Sequence, residues 1–449
     1  MIHKYYMNGY YIVLDVHSGS VHVVDRLVYE LLDDYQSLAL PALIEKLKGK
    51  YTPEEIKEGY EEIKSLEDSG LLYAPDIDAA MVSTVDGRKP VVKALCLHIA
   101  HDCNLTCAYC FAGEGEYHGC RSLMSAEVGR KAIDFIIQNS GNRRNLEIDF
   151  FGGEPTLNFD VVKEIVAYGR EQEKRHGKCF RFTLTTNGVL LSDDMMAYIN
   201  EHMHNVVLSI DGRQEVNDRM RKRAGGQGSY DLIVPKFQKL AESRGQNNYY
   251  VRGTYTRHNL DFAQDVLHLA ALGFKQVSIE PVVGEKDKPY TLREEDPPAL
   301  YAEYEKLAVA MLDKKEKNEG FNFFHFMIDL TGGPCVAKRL VGCGAGTEYL
   351  AVTPEGDLYP CHQFTGIEGF KMGNVDEGVV NEAMRSHFAG CNVYAKEDCR
   401  GCWAKFYCSG GCAANGYMAH RDIMKPYELG CHLQRKRTEC AIMMKVAGA

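Results

Sequence analysis

The sequence holds no run approaching the roughly 18 apolar residues of a membrane span. Its opening, Met1-Ile-His-Lys-Tyr-Tyr6, has neither the basic region nor the uninterrupted apolar region of an export signal. Both absences point to a cytoplasmic protein. A surplus of positive charge is missing too. The formal net charge of -10 argues against a general nucleic-acid binder, because neutralising phosphates needs Lys and Arg in excess on at least one face. The local cluster Arg219, Arg221, Lys222, Arg223 reads as a solvated loop, so no nucleic-acid or membrane partner is expected. What remains is 449 residues, 45% hydrophobic and 25% charged, enough chain for several domains and a large core.

Cysteine, by contrast, is abundant. Sixteen cysteines in a chain expected in a reducing compartment are not expected to form structural disulfides. The scattered ones, Cys96, Cys120, Cys179 and Cys440, read as buried small hydrophobes. The clustered ones point to metal. In His101-Asp-Cys-Asn-Leu-Thr-Cys-Ala-Tyr-Cys-Phe111, Cys103, Cys107 and Cys110 are spaced C-x3-C-x2-C before an aromatic residue. A [4Fe-4S] cluster ordinarily takes four cysteine ligands, so three leave one iron open. Further on, Cys343-x12-Gly356-x4-Cys361 is followed by Cys399-x2-Cys402-x5-Cys408-x3-Cys412 and, after an 18-residue gap, by Cys431. Paired cysteines at two-residue spacing also make tetrahedral zinc sites, which makes a zinc ribbon the alternative. Seven ligands fit that poorly, and the Cys103 loop argues for iron.

The chain divides into blocks. Over 1–75, Tyr10 to Val16 and Val21 to Val24 read as a strand hairpin. Helices follow with Asp25 as a cap, Pro41 as an opener, and Thr52-Pro53 as N-cap and first helical residue before Ile56 to Leu66. Leu71 to Tyr73 reads as a short closing strand. This winged-helix-like order has a DNA-binding reading, which its many Glu and Asp residues disfavour. Residues 76–92 read as a linker. From 93 to 290, strand-like runs at Ala94 to Ala100, Leu146 to Phe151, Phe180 to Thr185, Val206 to Ile210, Tyr249 to Tyr255 and Gln276 to Pro281 alternate with helical patterns. These are Ser125 to Gln138, Phe159 to His176, Ser192 to Glu201, Leu232 to Ser243 and Phe262 to Leu272. Six β/α units predict parallel strands covered by helices. Leu292 to Lys317 reads as a polar helical connector within 291–334, and 335–449 as the cysteine-rich end.

The Cys103 loop resembles that of the radical S-adenosylmethionine (SAM) superfamily, in which the open iron chelates the amino and carboxylate groups of SAM. The resemblance implies an α/β fold, a six-unit partial (β/α) barrel with the cluster just after its first strand. Phe150-Phe-Gly-Gly-Glu-Pro155 resembles the family's G-G-E-P motif, which implies that Gly152, Gly153 and Glu154 hold the methionyl ammonium of SAM. Tyr109, Asn187, Ser209 and Arg221 are the other implied SAM contacts, Ser209 and Arg221 toward ribose and carboxylate, with Arg219 equally able to fill the arginine's role. Asp211 reads as a turn residue. The seven later cysteines resemble a SPASM domain. That implies one auxiliary [4Fe-4S] cluster on Cys399, Cys402, Cys408 and Cys431 and another on Cys343, Cys361 and Cys412, three clusters in all. For the last, Cys335 competes with a vacancy open to a substrate thiolate, and vacancy is the reading carried forward.

The N-terminal block is similar to the peptide-recognition domains of enzymes that modify ribosomal peptides, which bind a leader as an added strand. The whole resembles sactipeptide maturases, in particular those of the six-cysteines-in-forty-five (SCIFF) peptides. This implies a cysteine-rich precursor peptide with a leader, and an external electron donor such as flavodoxin or ferredoxin. The implied reaction is abstraction of an α-hydrogen by a 5'-deoxyadenosyl radical, then attack of a cysteine sulfur, bound as thiolate, on that carbon to give a thioether, with the electron released on oxidation of the carbon radical passing to an auxiliary cluster. The alternatives are a formylglycine-generating anaerobic sulfatase maturase and a non-enzymatic metal-binding peptide scaffold.

Overall fold

The computed structural model describes residues 1–77, 79, 82, 91–285, 287–331 and 336–448. Most of the 76–92 segment, and Cys335, lie outside the described residues.

Strands Ala94–His101, Asn145–Gly152, Cys179–Thr186, Asn205–Ser209, Tyr249–Tyr255 and Gln276–Pro281 run parallel, each hydrogen-bonded to the next in chain order. This is the α/β partial barrel expected from the sequence. Period-two alternation sorts its faces. Leu95, Leu97, Ile99, Ile148, Phe150, Phe182, Leu184, Val206 and Leu208 are fully buried in the main core. Alternate positions, among them Asp149, Thr183, Thr185, Ser209 and Arg252, face the other way and make the lumen polar.

The helices between strands are set by local capping. Ser125 and Ser192 accept from Val128 N and Met195 N and start helices Ala126–Asn139 and Asp193–His202, each cap being worth about 1 kcal/mol. The connector expectation for Leu292 to Lys317 gives way here. Helix Pro297–Glu316 buries Leu300, Tyr304, Leu307, Ala308 and Met311 in the barrel's core. Its exposed side mixes Lys306 with Ala302 and Val309, so packing rather than a sequence stripe sets which face is buried.

The sheet extends past the barrel at both edges. Asn322–Phe323 joins the sixth strand, and Tyr349–Val352 pairs in parallel with the first, followed by the antiparallel return Asp357–Tyr359. The C-terminal cysteine segment is thereby stitched into the barrel sheet.

At the N-terminus, Ile2–Met7, Tyr10–Asp15 and Val21–Val24 form a three-stranded antiparallel sheet, with helices Arg26–Leu31, Leu40–Leu47 and Pro53–Asp68 after it. Thr52 and Glu55 make a reciprocal capping box. The partner of the predicted hairpin is Ile2–Met7, which sequence reading missed. Leu71 to Tyr73 is not a strand: Leu72 is buried against the three helices, and the Leu71 carbonyl accepts from His22 Nε2 at 3.0 Å. Both faces of this sheet are used. Val13 packs on its own helices, while Tyr5, Met7, Ile12 and Leu14 enter the main core with Leu433, Ala441 and Ile442 of the last helix, Glu428–Val446. The chain's one tryptophan completes this seam, with His3 stacked on Trp403 at 3.7 Å and bonded to Glu439 at 3.0 Å.

Candidate functional site

A cavity of about 150 Å³ opens at the C-terminal ends of the barrel strands, and its wall includes Cys103, Cys107, Cys110, Tyr109, Gly152, Gly153, Glu154, Asn187, Ser209 and Arg221. Ten positions named from motifs spread over more than a hundred residues converge there. The convergence is topological, since parallel strands deliver all their following loops to one end.

Two contacts lock the loops together. Strand Arg221–Arg223 pairs antiparallel with Leu105–Cys107, setting Arg221 opposite Cys107. Gly153 N and Glu154 N donate to Ala100 O and Asp102 O, both at 2.8 Å, clamping the G-G-E-P turn onto the cysteine loop. The glycines serve that clamp. A Cβ on Gly152 would lie 2.4 Å from Ala100 O, and one on Gly153 would lie 2.1 Å from Asp102 O; Gly152 also sits at φ +121°, a conformation side chains disfavour.

Polar groups around the cavity are largely committed within the chain. The Glu154 carboxylate, 1% exposed, accepts from Thr156 N, Thr156 Oγ1, Thr186 Oγ1 and Asn187 N at 2.5 to 3.1 Å. It therefore ties the second strand's loop to the third's, leaving less of its charge for an ammonium than the motif implies. Burial still holds its carboxyl above the usual range. Tyr109 puts its ring on the cavity, while its hydroxyl donates to Asp211 at 2.6 Å and accepts from Arg221 Nη1 at 3.0 Å. Asp211, expected as a mere turn residue, is wholly buried and also accepts from Thr254 N at 3.0 Å. The two candidate arginines are placed differently: Arg219 is exposed and Arg221 is buried in the cavity wall.

Two buried donors at this end, Arg221 Nε and Asn104 Nδ2, find no partner among the described residues. Unsatisfied buried donors are costly, and an anionic, hydroxyl-bearing ligand would satisfy them. Burial pushes the Cys103 and Cys107 thiols up to about 12 and about 11. Such thiols ionise when iron replaces the proton.

The second cysteine set lines another cavity, of about 260 Å³, that brings together Cys399, Cys402, Cys408 and Cys431. Burial raises Cys399 to about 11 and Cys431 to about 12. Cys343, Cys361 and Cys412 form the third set. Gly346 N bonds to Pro360 O at 2.9 Å, which draws the Cys343 loop toward Cys361, and the Cys412 and Cys343 thiols both add to the burial that raises Cys361. Because Tyr359 pairs with Ala351, which pairs with Cys96, Cys361 stands beside the lumen. Between it and the Cys103 loop lies His362, packed on Phe111 and Phe151. Among the described residues no three His, Cys, Asp or Glu side chains converge to seat a single metal ion. Cys103, Cys107 and Cys110 line the cavity of about 150 Å³, and Cys399, Cys402, Cys408 and Cys431 the one of about 260 Å³.

Residues 91–234 match the family described as a 4Fe-4S single cluster domain, and 343–403 match SPASM, an iron-sulfur cluster-binding domain. A cysteine-type anaerobic sulfatase-maturating enzyme of Clostridium novyi is 23% identical, over 70% of this chain and 86% of its own. The radical SAM cyclopropyl synthase TigE of Paramaledivibacter caminithermalis is 21% identical, over 77% and 72%. The chain is a radical SAM/SPASM enzyme. Its fold is shared with Streptococcus suis SuiB, solved with S-adenosylmethionine and with its precursor peptide SuiA. The peptide-bound structure superposes with a TM-score of 0.56 at 16% identity, covering 96% of this chain and 98% of that one.

SAM and [4Fe-4S] clusters, auxiliary SPASM clusters included, are the cofactors typical of radical SAM/SPASM enzymes. Several site features of this one escaped the sequence reading. His98 and His101, bonded at 2.9 Å, sit behind the cysteine loop, with Tyr117 OH donating to Gly152 O at 3.0 Å. In the lumen Arg252 pairs with Glu280 at 2.6 Å. Their only sequence signal was polarity at alternate positions of barrel strands. Cys391 is half-buried and its thiol donates to Ile423 O at 3.3 Å, engaged with backbone. Of the scattered cysteines, Cys96 and Cys440 are buried as expected, whereas two are corrected: Cys179 is half-buried at the start of a barrel strand, and Cys120 is exposed in the surface loop after Gly119. Among the described residues no helix is long and apolar enough to cross a membrane.

Proposed function

We propose that this radical SAM/SPASM enzyme matures a ribosomally made, cysteine-rich precursor peptide, joining cysteine sulfur to an α-carbon as a thioether, in the manner of SCIFF maturases. The observation that carries the reading is the edge strand Val21–Val24, which among the described residues pairs on one side only, on a sheet fused into the same core as the barrel. A leader added there by backbone hydrogen bonds would hold its core peptide near the lumen.

When bound, the cofactor supplies reductive cleavage of SAM and removal of an unactivated hydrogen. In this assignment Cys103, Cys107 and Cys110 hold the SAM-binding cluster, and an external donor of the flavodoxin or ferredoxin type reduces it. Arg221, steadied by Tyr109 and Asp211, offers its free Nε to the SAM carboxylate. Gly152, Gly153 and Glu154 fix the turn that faces the ammonium; Ser209 and Asn187 close the wall. Cys399, Cys402, Cys408 and Cys431 complete one auxiliary cluster. Cys343, Cys361 and Cys412 leave the other an open position, beside the lumen, where a substrate thiolate would bind. Arg252 and Glu280 give the lumen a charged, hydrogen-bonding wall suited to peptide rather than to an apolar substrate.

The test is anaerobic turnover of the reconstituted enzyme with SAM and the cysteine-rich peptide encoded nearest to it, followed by fragmentation mass spectrometry. Loss of two hydrogens per crosslink, with thiols no longer alkylatable, is expected. Unchanged mass with all thiols alkylatable would refute it. Formylglycine formation on a sulfatase peptide is the second reading, favoured by the sulfatase-maturating relative, and the same assay with such a peptide separates the two.

A further inference from the structure

Two lysines are buried beside the C-terminal cysteines, and they are neutralised differently. Lys405, 2% exposed, lines the Cys399 cavity and pairs with Asp76 at 3.0 Å. Lys396 is equally buried, yet among the described residues no carboxylate pairs with it. Its Nζ donates to Gly410 O at 2.8 Å, and Gly410 lines the same cavity.

That carbonyl has a particular place in the chain. Gly410 is the middle of Cys408-Ser-Gly-Gly-Cys412, the short covalent link between the second cysteine set and the third. Lys396 N and O belong to the turn that leads into Cys399, with Cys399 N donating to Lys396 O at 3.1 Å. Its ammonium depresses the thiols of Cys399, Cys408 and Cys391 against the burial that raises them. A buried cation without a counter-ion is expensive. Four thiolates around a [4Fe-4S] core carry net negative charge, which increases by one on reduction, so a cluster here would supply the missing anion.

We propose that Lys396 is the built-in counter-charge of the auxiliary clusters, a positioning residue that holds their reduction potential up so that they can take an electron from the substrate side. The proposal rests on the assignment of clusters to these cysteines. Charge close to a cluster and its burial are among the levers that set cluster potential. The cation favours the reduced, more negative form, and removing it makes the cluster harder to reduce.

The experiment uses full-length enzyme reconstituted with iron and sulfide, carrying Cys103→Ala, Cys107→Ala and Cys110→Ala so that only auxiliary signals remain. Reduction is followed by electron paramagnetic resonance against a series of set potentials, for Lys396, Lys396→Met and Lys396→Arg. With iron content intact, Lys396→Met is expected to lower an auxiliary potential by an amount equivalent to about a tenfold change in the reduction equilibrium, 59 mV for one electron. Lys396→Arg is expected to restore most of it. If Lys396→Met loses auxiliary iron, retention by Lys396→Arg still supports the charge, whereas loss in both variants makes the residue a packing element and overturns the proposal. Unmoved potentials at full iron overturn it as well. Absence of any auxiliary signal in the Lys396 parent would instead refute the cluster assignment itself, and the proposal with it.

Discussion

Gly153→Ala isolates the clamp between the cysteine loop and the G-G-E-P turn. The residue is not in a conformation reserved for glycine, so the case is one of space alone. A Cβ there would stand 2.1 Å from Asp102 O and 2.6 Å from Asp102 C, where ordinary contact begins at 3.4 Å. The obstacle is backbone, which cannot rotate away as a side chain would, so the two loops must part by roughly 1 Å. Parting stretches the 2.8 Å bonds from Gly153 N and Glu154 N, each worth about 1 kcal/mol, for a loss of about 2 kcal/mol. The larger effect is on chemistry, because a misplacement of about 1 Å at reacting groups can cost on the order of 100-fold in rate. The assay is anaerobic release of 5'-deoxyadenosine from SAM by reconstituted enzyme, with iron content measured alongside. Gly401→Ala is the control, since a Cβ there meets nothing within 4 Å. A Gly153→Ala enzyme that cleaves SAM at half the parental rate or better would refute the spatial argument.

Arg221→Lys keeps charge but loses the planar fork that reaches Tyr109 while leaving Nε free; SAM affinity by equilibrium dialysis is expected to fall about tenfold or more, and an unchanged value would remove Arg221 from the site. Asp149 faces the lumen, where burial first and Glu147 second push its carboxyl up to about 7, above the ordinary value of about 3.9. The unfolded chain therefore ionises first, and native stability is lost as pH rises from about 4 to about 7. Asp149→Asn should gain on the parent across that window in chemical denaturation, with a constant gap above it; a gap that opens in the acid direction would be the wrong sign. Val23, 53% exposed on the free edge strand, tests leader docking: Val23→Asp should weaken binding of a labelled leader peptide at least fivefold while leaving peptide-independent SAM cleavage unchanged. Point substitution is the appropriate probe, because deleting the N-terminal block would strip Tyr5, Met7, Ile12 and Leu14 from the main core, at about 1.5 to 3 kcal/mol for each large side chain.

Legibility from sequence tracked locality. The barrel strands were readable because each carries its own alternation, and helix starts were readable where Ser125, Ser192 or Thr52 caps within one turn. Helix Pro297–Glu316 was misjudged because its apolar residues are interleaved with many charges, so only the partner surface shows which side counts. Ile2–Met7 went unseen as a strand since nothing local distinguishes an edge strand from a tail until Tyr10–Asp15 pairs with it. Asp211 looked like a turn residue for the same reason: its partners, Tyr109 of the cysteine loop and Thr254 of the fifth barrel strand, are distant in the chain.

The sequence by itself determined the chemistry on offer: three cysteines too few for a closed cluster, a G-G-E-P turn, and seven further cysteines in SPASM order. Each of those signals is a spacing along the chain, and covalent spacing survives without a fold. Only the tertiary structure decided which arginine meets the cysteine loop, that the Glu154 charge is spent on Thr156, Thr186 and Asn187, and that Lys396 is buried with its ammonium on the Gly410 carbonyl. Those facts depend on distances between segments far apart in the chain, which are fixed only when parallel strands bring their loops to one end and the C-terminal segment is sewn onto the same sheet.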